Sequence, residues 1–271
     1  QVDESGSAST PAARAPPGAT LIRLMDVGPL LVGIACAAAL VTGFLRNAVG
    51  GGIGLALTPV LTIVLPPQPV LAMIGLLLLL SDPISLWLYW RRWDGAEARR
   101  LIPTMLVGIV LGGWLVAGLS ATALRQAIGA AALLFGSAQL ALTLRGAPSS
   151  AAPTSPPVAM GVGLVAGVAS TVAHSGGVVL GLYLVGRPLS SAGVVATGTL
   201  AYAISDVVKV GTYAAIGWVT PPLLLATVAA TPFLYFGSWL GYRLNTRLPR
   251  RAFALTLIVI ALAGALRLLL S

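Results

Sequence analysis

The chain has 271 residues, of which 57% are hydrophobic and only 8% are charged, and its mean hydropathy is +0.95. Soluble domains carry about 25% charged residues, so this chain lacks the side chains needed to cover a water-facing surface. The net charge of +9 comes largely from arginines in short loops between apolar runs, which indicates membrane topology and argues against binding to nucleic acid.

The N-terminal segment, residues 1–27, begins with a stretch rich in Ser, Ala, Pro and Gly. Such a composition buries too little apolar surface to fold, so we predict a disordered segment that contributes nothing to the membrane fold. The single cysteine, Cys36, lies in an apolar run, which excludes an intramolecular disulfide.

Ten apolar segments follow, five on each side of a linker at residues 146–157 that is rich in Pro, Ser and Ala. The first repeat (28–145) contains segments A (28–47), B (48–65), C (68–90), D (101–120) and E (124–144). The second repeat (158–271) contains A′ (158–173), B′ (175–186), C′ (189–218), D′ (222–242) and E′ (251–270). Segments C, D and E of each half are near or above the roughly 20 residues that span a bilayer, and they are predicted to be transmembrane helices.

The two halves resemble each other in sequence. Asp82 and Asp206 lie inside apolar runs and are 124 residues apart (206 − 82), and the same ungapped shift pairs further identical residues. These pairs are Leu40 with Leu164, Val41 with Val165, Gly43 with Gly167, Gly52 with Gly176, Ser81 with Ser205, Tyr89 with Tyr213, and Gly113 with Gly237. The matches together indicate a duplication, and duplicated halves with polar groups at membrane depth are typical of transporters.

Glycines interrupt segments A and B in both halves, at Gly50, Gly51 and Gly52 and again at Gly176 and Gly177. Irregular backbone at membrane depth is tolerated where it is buried in protein or lines a cavity, so A and B are predicted to form a Gly-broken hairpin of helices. The alternative is that these glycines only allow helices to pack closely.

The loop arginines differ between the halves. They concentrate between C and D in the first half but between D′ and E′ in the second, at Arg91, Arg92, Arg99 and Arg100 and at Arg243, Arg247, Arg250 and Arg251. If these loops are cytoplasmic, the halves are inverted, the linker and Arg187 lie inside, and both ends of the chain lie outside. The predicted fold is an all-α polytopic membrane protein with two inverted repeats, each a Gly-broken hairpin plus three transmembrane helices.

A glycine run followed by an apolar stretch and a proline, GGGIGLALTPVL at residues 50–61, returns in weaker form as HSGG at 174–177. This pattern resembles the TauE/SafE family of sulfite and organosulfonate exporters, and the resemblance covers roughly residues 28 to 270. It implies a multi-pass protein of the cytoplasmic membrane that moves small sulfur-containing or related organic anions. The second half departs from the pattern, because Tyr183 stands opposite Pro59.

An anion site can be built from helix N-termini, whose free N–H groups attract anions, and from glycines, which allow a ligand close to the backbone. The candidate substrate-binding residues are Arg46, Asn47, Gly50, Gly51, Gly52, Ser170, Thr171, His174, Ser175, Gly176 and Gly177. A guanidinium can bind a sulfite or sulfonate through two oxygens, although Arg46 could instead snorkel at the end of segment A. His174 could shuttle protons near neutral pH or simply be hydrogen-bonded in place.

Asp82, Asp206 and Lys209 are the candidates for ion coupling, because an intramembrane acid is expensive and commonly functional. Lys209 follows Asp206 by three residues and shares its helix face, so the two could equally form a structural ion pair. Asp82 has no cation nearby in sequence, and it either pairs with Arg46 or stays protonated.

These residues predict a secondary transporter that moves a small anion by alternating access, as an exporter coupled to a proton or cation gradient. The alternatives are an anion channel and a membrane-embedded scaffold or enzyme. No clustered metal ligands or catalytic set point to an enzyme, and no metal or cofactor is expected. The expected partners are the anion and the lipid bilayer. The Gly108/Gly112 and Gly237/Gly241 spacings suit close helix contact, either within the protein or with a second copy of the chain in a homodimer.

Overall fold

The computed structural model describes residues 28–49, 53–145, 155–245 and 250–270, and within these ranges the chain forms helices joined by short turns, without strands. The predicted disordered segment (1–27), Gly50 to Gly52 and most of the linker lie outside the described residues. The helices are α1 (Pro29–Val49), α2 (Ile53–Val64), α3 (Pro67–Leu88), α4 (Gly95–Ala117), α5 (Ala121–Arg145), α6 (Pro156–Ala173), α7 (Gly176–Val185), α8 (Ser191–Ala215), α9 (Pro221–Ala229), α10 (Thr231–Asn245) and α11 (Arg250–Leu270).

Seven helices in the described ranges are long and apolar enough to cross a membrane, namely α1, α3, α4, α5, α6, α8 and α11. An eighth span results if α9 and α10 are counted together, although they are bent by 44° at their junction. Segment D′ was predicted as one helix and is two. Pro232 is the second residue of α10, and because proline has no N–H to give to the preceding turn, it fits a first helical turn better than a helix interior. The predicted all-α polytopic membrane fold is confirmed.

Helices α2 and α7 are too short to cross a bilayer alone. With 12 and 10 residues they extend about 18 and 15 Å, against roughly 30 Å of hydrocarbon. Each follows a span-length helix, α1 or α6. In the second half the break lies at His174 and Ser175, between α6 and α7. The corresponding break in the first half falls on residues outside the described ranges.

The first helix of each half packs against the fourth segment of the other half through glycines. A Cβ added at Gly43 would collide with the backbone of α10, and one at Gly167 would collide with the backbone of α4. The reciprocal contacts are Gly237 on Leu40 and Gly241 on Phe44 in one pair, and Gly108 on Leu164 and Gly112 on Val168 in the other. Both pairs of helices therefore run parallel, and the two halves are interlocked rather than separate.

These contacts also define which residues are structurally equivalent. Leu40 and Leu164 are 124 apart, whereas the glycines that contact them, Gly237 and Gly108, are 129 apart (237 − 108). The ungapped pairing of Gly113 with Gly237 is therefore wrong, and Gly108 is the counterpart of Gly237. Five extra residues (129 − 124) lie ahead of α10 in the second half, partly because α8 has 25 residues and α3 has 22.

The last helices of the two halves pack in opposite directions. Gly129 of α5 lies against Ala265 and Leu269 of α11, while Gly136, further along α5, lies against the earlier residue Leu262. Equivalent helices that run antiparallel are the arrangement expected of inverted halves. The orientation of each half in the membrane stays a prediction.

Candidate functional site

The first buried acid forms an ion pair between two helices. Asp82 on α3 is 2% exposed, and its Oδ1 accepts a hydrogen bond from Nη2 of Arg46 in the last turn of α1. A second guanidinium nitrogen, Nη1, donates to the Leu78 carbonyl at 3.3 Å. Arg46 therefore points into the protein, with 11% of its side chain exposed, rather than snorkelling toward the interface. The second carboxylate oxygen, Asp82 Oδ2, is buried and has no hydrogen-bond partner.

The second acid is paired within its own helix. Lys209 Nζ lies 2.5 Å from Asp206 Oδ1, three residues earlier on α8. The ammonium also donates to Ser170 Oγ on α6 at 3.2 Å, and Lys209 is only 1% exposed. The two residues thus form the ion pair that their spacing allowed, with an added contact to α6, and a part of this pair in ion coupling stays a prediction.

The two ion pairs lie near each other in the helix bundle. Asp206 and Lys209 lie close enough to Asp82 to interact with it electrostatically. Tyr202 lies close enough to interact in the same way with Arg46 and Asp206. We call Arg46, Asp82, Ser170, Asp206 and Lys209 the central cluster. With two basic and two acidic side chains, its formal charge balances, as buried charges require.

His174 lies at the break between α6 and α7, with a left-handed backbone (φ 52°) that only a few per cent of non-glycine residues adopt. Its counterpart in the first half is Gly50 (174 − 124), the residue type that usually ends a helix in this conformation. The imidazole Nδ1 lies 3.5 Å from Thr58 Oγ1 on α2, and Nε2 is buried without a hydrogen-bond partner. His174 therefore combines an uncommon backbone conformation with a buried nitrogen that has no hydrogen-bond partner, and its role in transport stays a prediction.

The other candidates of the second half hold the break in shape. Thr171 Oγ1 donates to the Gly167 carbonyl, Ser175 Oγ donates to the Ala173 carbonyl, and Gly177 accepts from Tyr202. Gly176 packs against the Ala166 carbonyl so closely that a Cβ would lie 2.5 Å from it. Gly176 fits the close-packing alternative, and any contact of these residues with substrate stays a prediction.

Two groups of the first half are not described. Gly50, Gly51 and Gly52 lie outside the described residues, and so does the side chain of Asn47. Substrate binding by Asn47 and by these glycines stays a prediction.

A second buried cluster was not predicted from the sequence. Glu97, in the first turn of α4, is 4% exposed and accepts from Arg187 Nε at 2.9 Å, Arg187 Nη2 at 2.6 Å and Tyr183 Oη at 2.7 Å. Arg100 adds a 3.3 Å contact from a half-exposed position. We call these four residues the Glu97 cluster. It fixes the end of α7 against the start of α4. The turn before α4, with Arg91 and Arg92, and the turn after α7, with Arg187, therefore lie at the same end of the bundle.

Sequence reasoning also missed the tyrosines beside the central cluster. Tyr213 is fully buried, donates to the Thr171 carbonyl at 2.6 Å and stacks on Trp218. Tyr202 precedes Asp206 by four residues, a helical spacing that would have placed it on the same face of α8. Thr58 carried no signal, because its contact with His174 joins residues 116 positions apart.

A family model described as Sulfite exporter TauE/SafE matches residues 35–268, which covers nearly every described helix. A search of curated proteins and a search of solved structures each gave no match. The members of this family are membrane exporters rather than enzymes, which agrees with the span-length apolar helices and with the resemblance carried by the glycine runs. The chain belongs to the TauE/SafE family of sulfite exporters.

Proposed function

We propose that this protein is a secondary carrier that exports sulfite or an organosulfonate by alternating access, with the central cluster and His174 as its binding site. The observation that carries the proposal is that two buried polar atoms have no hydrogen-bond partner: Oδ2 of Asp82, whose carboxylate pairs with Arg46, and Nε2 of His174. A buried polar atom without a partner costs about 1–3 kcal/mol, so such atoms persist where a ligand, water or proton completes them.

The chemistry of the cluster suits a small oxoanion. Arg46 presents a planar fork of donors that can bind two oxygens of one sulfite, and Lys209 supplies a second positive charge from the other half. Both cations are already paired with carboxylates. An arriving anion therefore competes with Asp82 for Arg46, which gives the site a way to release as well as to bind.

The short helices suit alternating access. Helix α7 begins next to the central cluster and ends at the Glu97 cluster, so it links the site to one end of the bundle. The Arg46–Asp82 pair joins α1 to α3 and can separate when these helices shift, whereas Asp206 and Lys209 share α8 and stay together. Movement of these helices would therefore change the Arg46–Asp82 pair more than the Asp206–Lys209 pair.

Coupling to protons is assigned to the two aspartates. When an anion binds Arg46, its negative charge lies next to the Asp82 carboxylate and the two repel each other. Proton uptake by the carboxylate relieves this repulsion. The groups facing Asp82 are Arg46 from α1 and Asp206 and Lys209 from α8. Coupling to the substrate gradient alone would leave the aspartates with a structural role.

The test is flux in proteoliposomes that contain the purified protein. We expect saturable sulfite uptake and counterflow that respond to an imposed pH gradient, with taurine tested as a competitor and acetate as a comparison anion. Arg46→Gln should reduce the flux at least about tenfold because a charge-assisted contact is lost, whereas Arg145→Gln, an exposed arginine at the end of α5, should not. Absence of flux for every anion would overturn the proposal, and conductance without counterflow would favour a channel.

A further inference from the structure

The two halves carry their buried cation on different helices. The shift of 124 that relates α1 to α6 and α3 to α8 places Ser170 at the position of Arg46 (170 − 46) and Lys209 at the position of Ser85 (209 − 85). Thus α1 and α3 carry Arg46 and Ser85, while α6 and α8 carry Ser170 and Lys209. The same two positions hold one cation and one serine in each half, in exchanged order.

The equivalence is geometric as well as numerical. Helices α1 and α6 make matching glycine contacts at Leu40 and Leu164, and again at Phe44 and Val168, each pair 124 apart. Arg46 and Ser170 follow two residues after the second pair and so occupy the same place in their helices.

The two acids are likewise equivalent and accept from cations that arrive by different routes. Asp82 accepts from Arg46 across the α1–α3 contact, whereas Asp206 accepts from Lys209 on its own helix, at 2.5 Å. Ser170, which stands at the position of Arg46, accepts a hydrogen bond from Lys209 at 3.2 Å. The serine and the cation of the second half therefore lie within reach of each other. Ser85 lies three residues after Asp82, the spacing at which Lys209 follows Asp206.

We propose that each half must place one positive charge beside its acid, and that Ser85 is an alternative attachment point for the charge that Arg46 supplies. This inference rests on the proposed function, in which an anion is held between the cations of the two halves. It makes the position of the charge, rather than the helix that carries it, the requirement for binding.

The experiment moves the cation between helices. Arg46→Ser should lower sulfite flux in proteoliposomes about tenfold or more, and the double variant R46S/S85K should restore it to within about threefold of the original chain. R46S/W87K is the matched control, because Trp87 is 76% exposed and lies five residues after Asp82, which turns its lysine about 140° away from Asp82 around the helix. It has the same net charge and should not restore flux.

A further variant separates charge from folding. R46S/D82N removes both members of the ion pair, so it should keep the unfolding midpoint of the original chain within a few degrees and still lack flux. Retained flux in Arg46→Ser or in R46S/D82N would overturn the inference, because no cation would then be needed. Equal flux in R46S/S85K and R46S/W87K, with both proteins folded, would overturn it as well.

If R46S/S85K does not fold, the reverse exchange S170K/K209S makes the same test in the second half. It should retain flux, while Lys209→Ser alone should lose it; loss of flux in a folded S170K/K209S would overturn the inference. The proposed function fails separately, through absence of flux in the unaltered protein. An active original chain with no rescue by either exchange rejects the interchangeable cation and leaves the carrier standing.

Discussion

The Glu97–Arg187 pair should contribute strongly to the stability of the bundle. Two Arg187 nitrogens, at 2.9 and 2.6 Å, donate to one carboxylate oxygen, and the side chains are only 5% and 11% exposed. Tyr183 donates to the other oxygen at 2.7 Å. Glu97→Ala removes all these acceptors at once, so the guanidinium loses its buried carboxylate.

The magnitude follows from burial. Removal of one partner of a buried ion pair typically costs about 3–5 kcal/mol, whereas the Arg100 contact, with 41% of that side chain exposed, adds roughly 0–1 kcal/mol. We therefore expect Glu97→Ala to lower the free energy of unfolding by about 4 kcal/mol and Arg100→Ala by less than about 1 kcal/mol. In a double-mutant cycle, Glu97→Ala and Arg187→Ala should show a coupling energy of roughly 2–4 kcal/mol.

Equilibrium unfolding in mixed detergent micelles, followed by tryptophan fluorescence, gives the four free energies of the cycle. Arg100→Ala is the matched control, because it removes an arginine that contacts the same carboxylate from a half-exposed position. A coupling energy below about 1 kcal/mol would refute the reasoning, since the pair would then behave like an exposed salt bridge.

Three further predictions concern the site and its packing. Asp82→Asn and Asp206→Asn should each fold but lose the response of sulfite flux to a pH gradient, and an unchanged response in both would contradict a coupling role. Gly167→Ala should lower the unfolding free energy by about 1–3 kcal/mol because a Cβ there meets the backbone of α4, while Gly161→Ala, with nothing within 4 Å, should change it by less than about 1 kcal/mol in the same unfolding assay. Tyr213→Phe should cost about 1–2 kcal/mol by leaving the carbonyl it contacts without that donor, and an unchanged midpoint would show that the 2.6 Å contact is not stabilising.

Hydropathy predicted the membrane class and most of the spans because bilayer insertion depends on the summed apolar character of about 20 residues. It did not predict the break between α9 and α10, since Pro232 lies in a run that stays apolar on both sides. An ungapped shift gave the correct equivalence for α1 and α3 but not for α4. Five extra residues change the register there, and only the glycine contacts between helices show the change.

Candidate site residues could be predicted from the sequence where burial of a charge costs free energy or where two residues share one helix face. Asp82 and Asp206 were found because a carboxylate in an apolar run is costly, and Lys209 was found through its spacing on one helix face. Arg46 was reached only as one of two alternatives, since its partner is 36 residues away. The Glu97 cluster joins residues up to 90 positions apart, and at the sequence level Glu97 looks like an acid in the first turn of a helix, a common way to complement the helix dipole.

The interlocked packing restricts how the helices can move relative to one another. Helix α1 is fixed to α10, and α6 to α4, by glycine contacts in which backbone meets backbone, so each of these pairs should move as a rigid body. Each rigid pair thus combines one helix from each sequence half, and the sequence halves cannot be the moving units. Arg46 belongs to the α1–α10 pair, whereas Ser170 and His174 belong to α6 or its end, so relative motion of the two pairs changes the distance between Arg46 and the second half-site. Under the proposed function, a substrate held between Arg46 and Ser170 would then contact both rigid pairs.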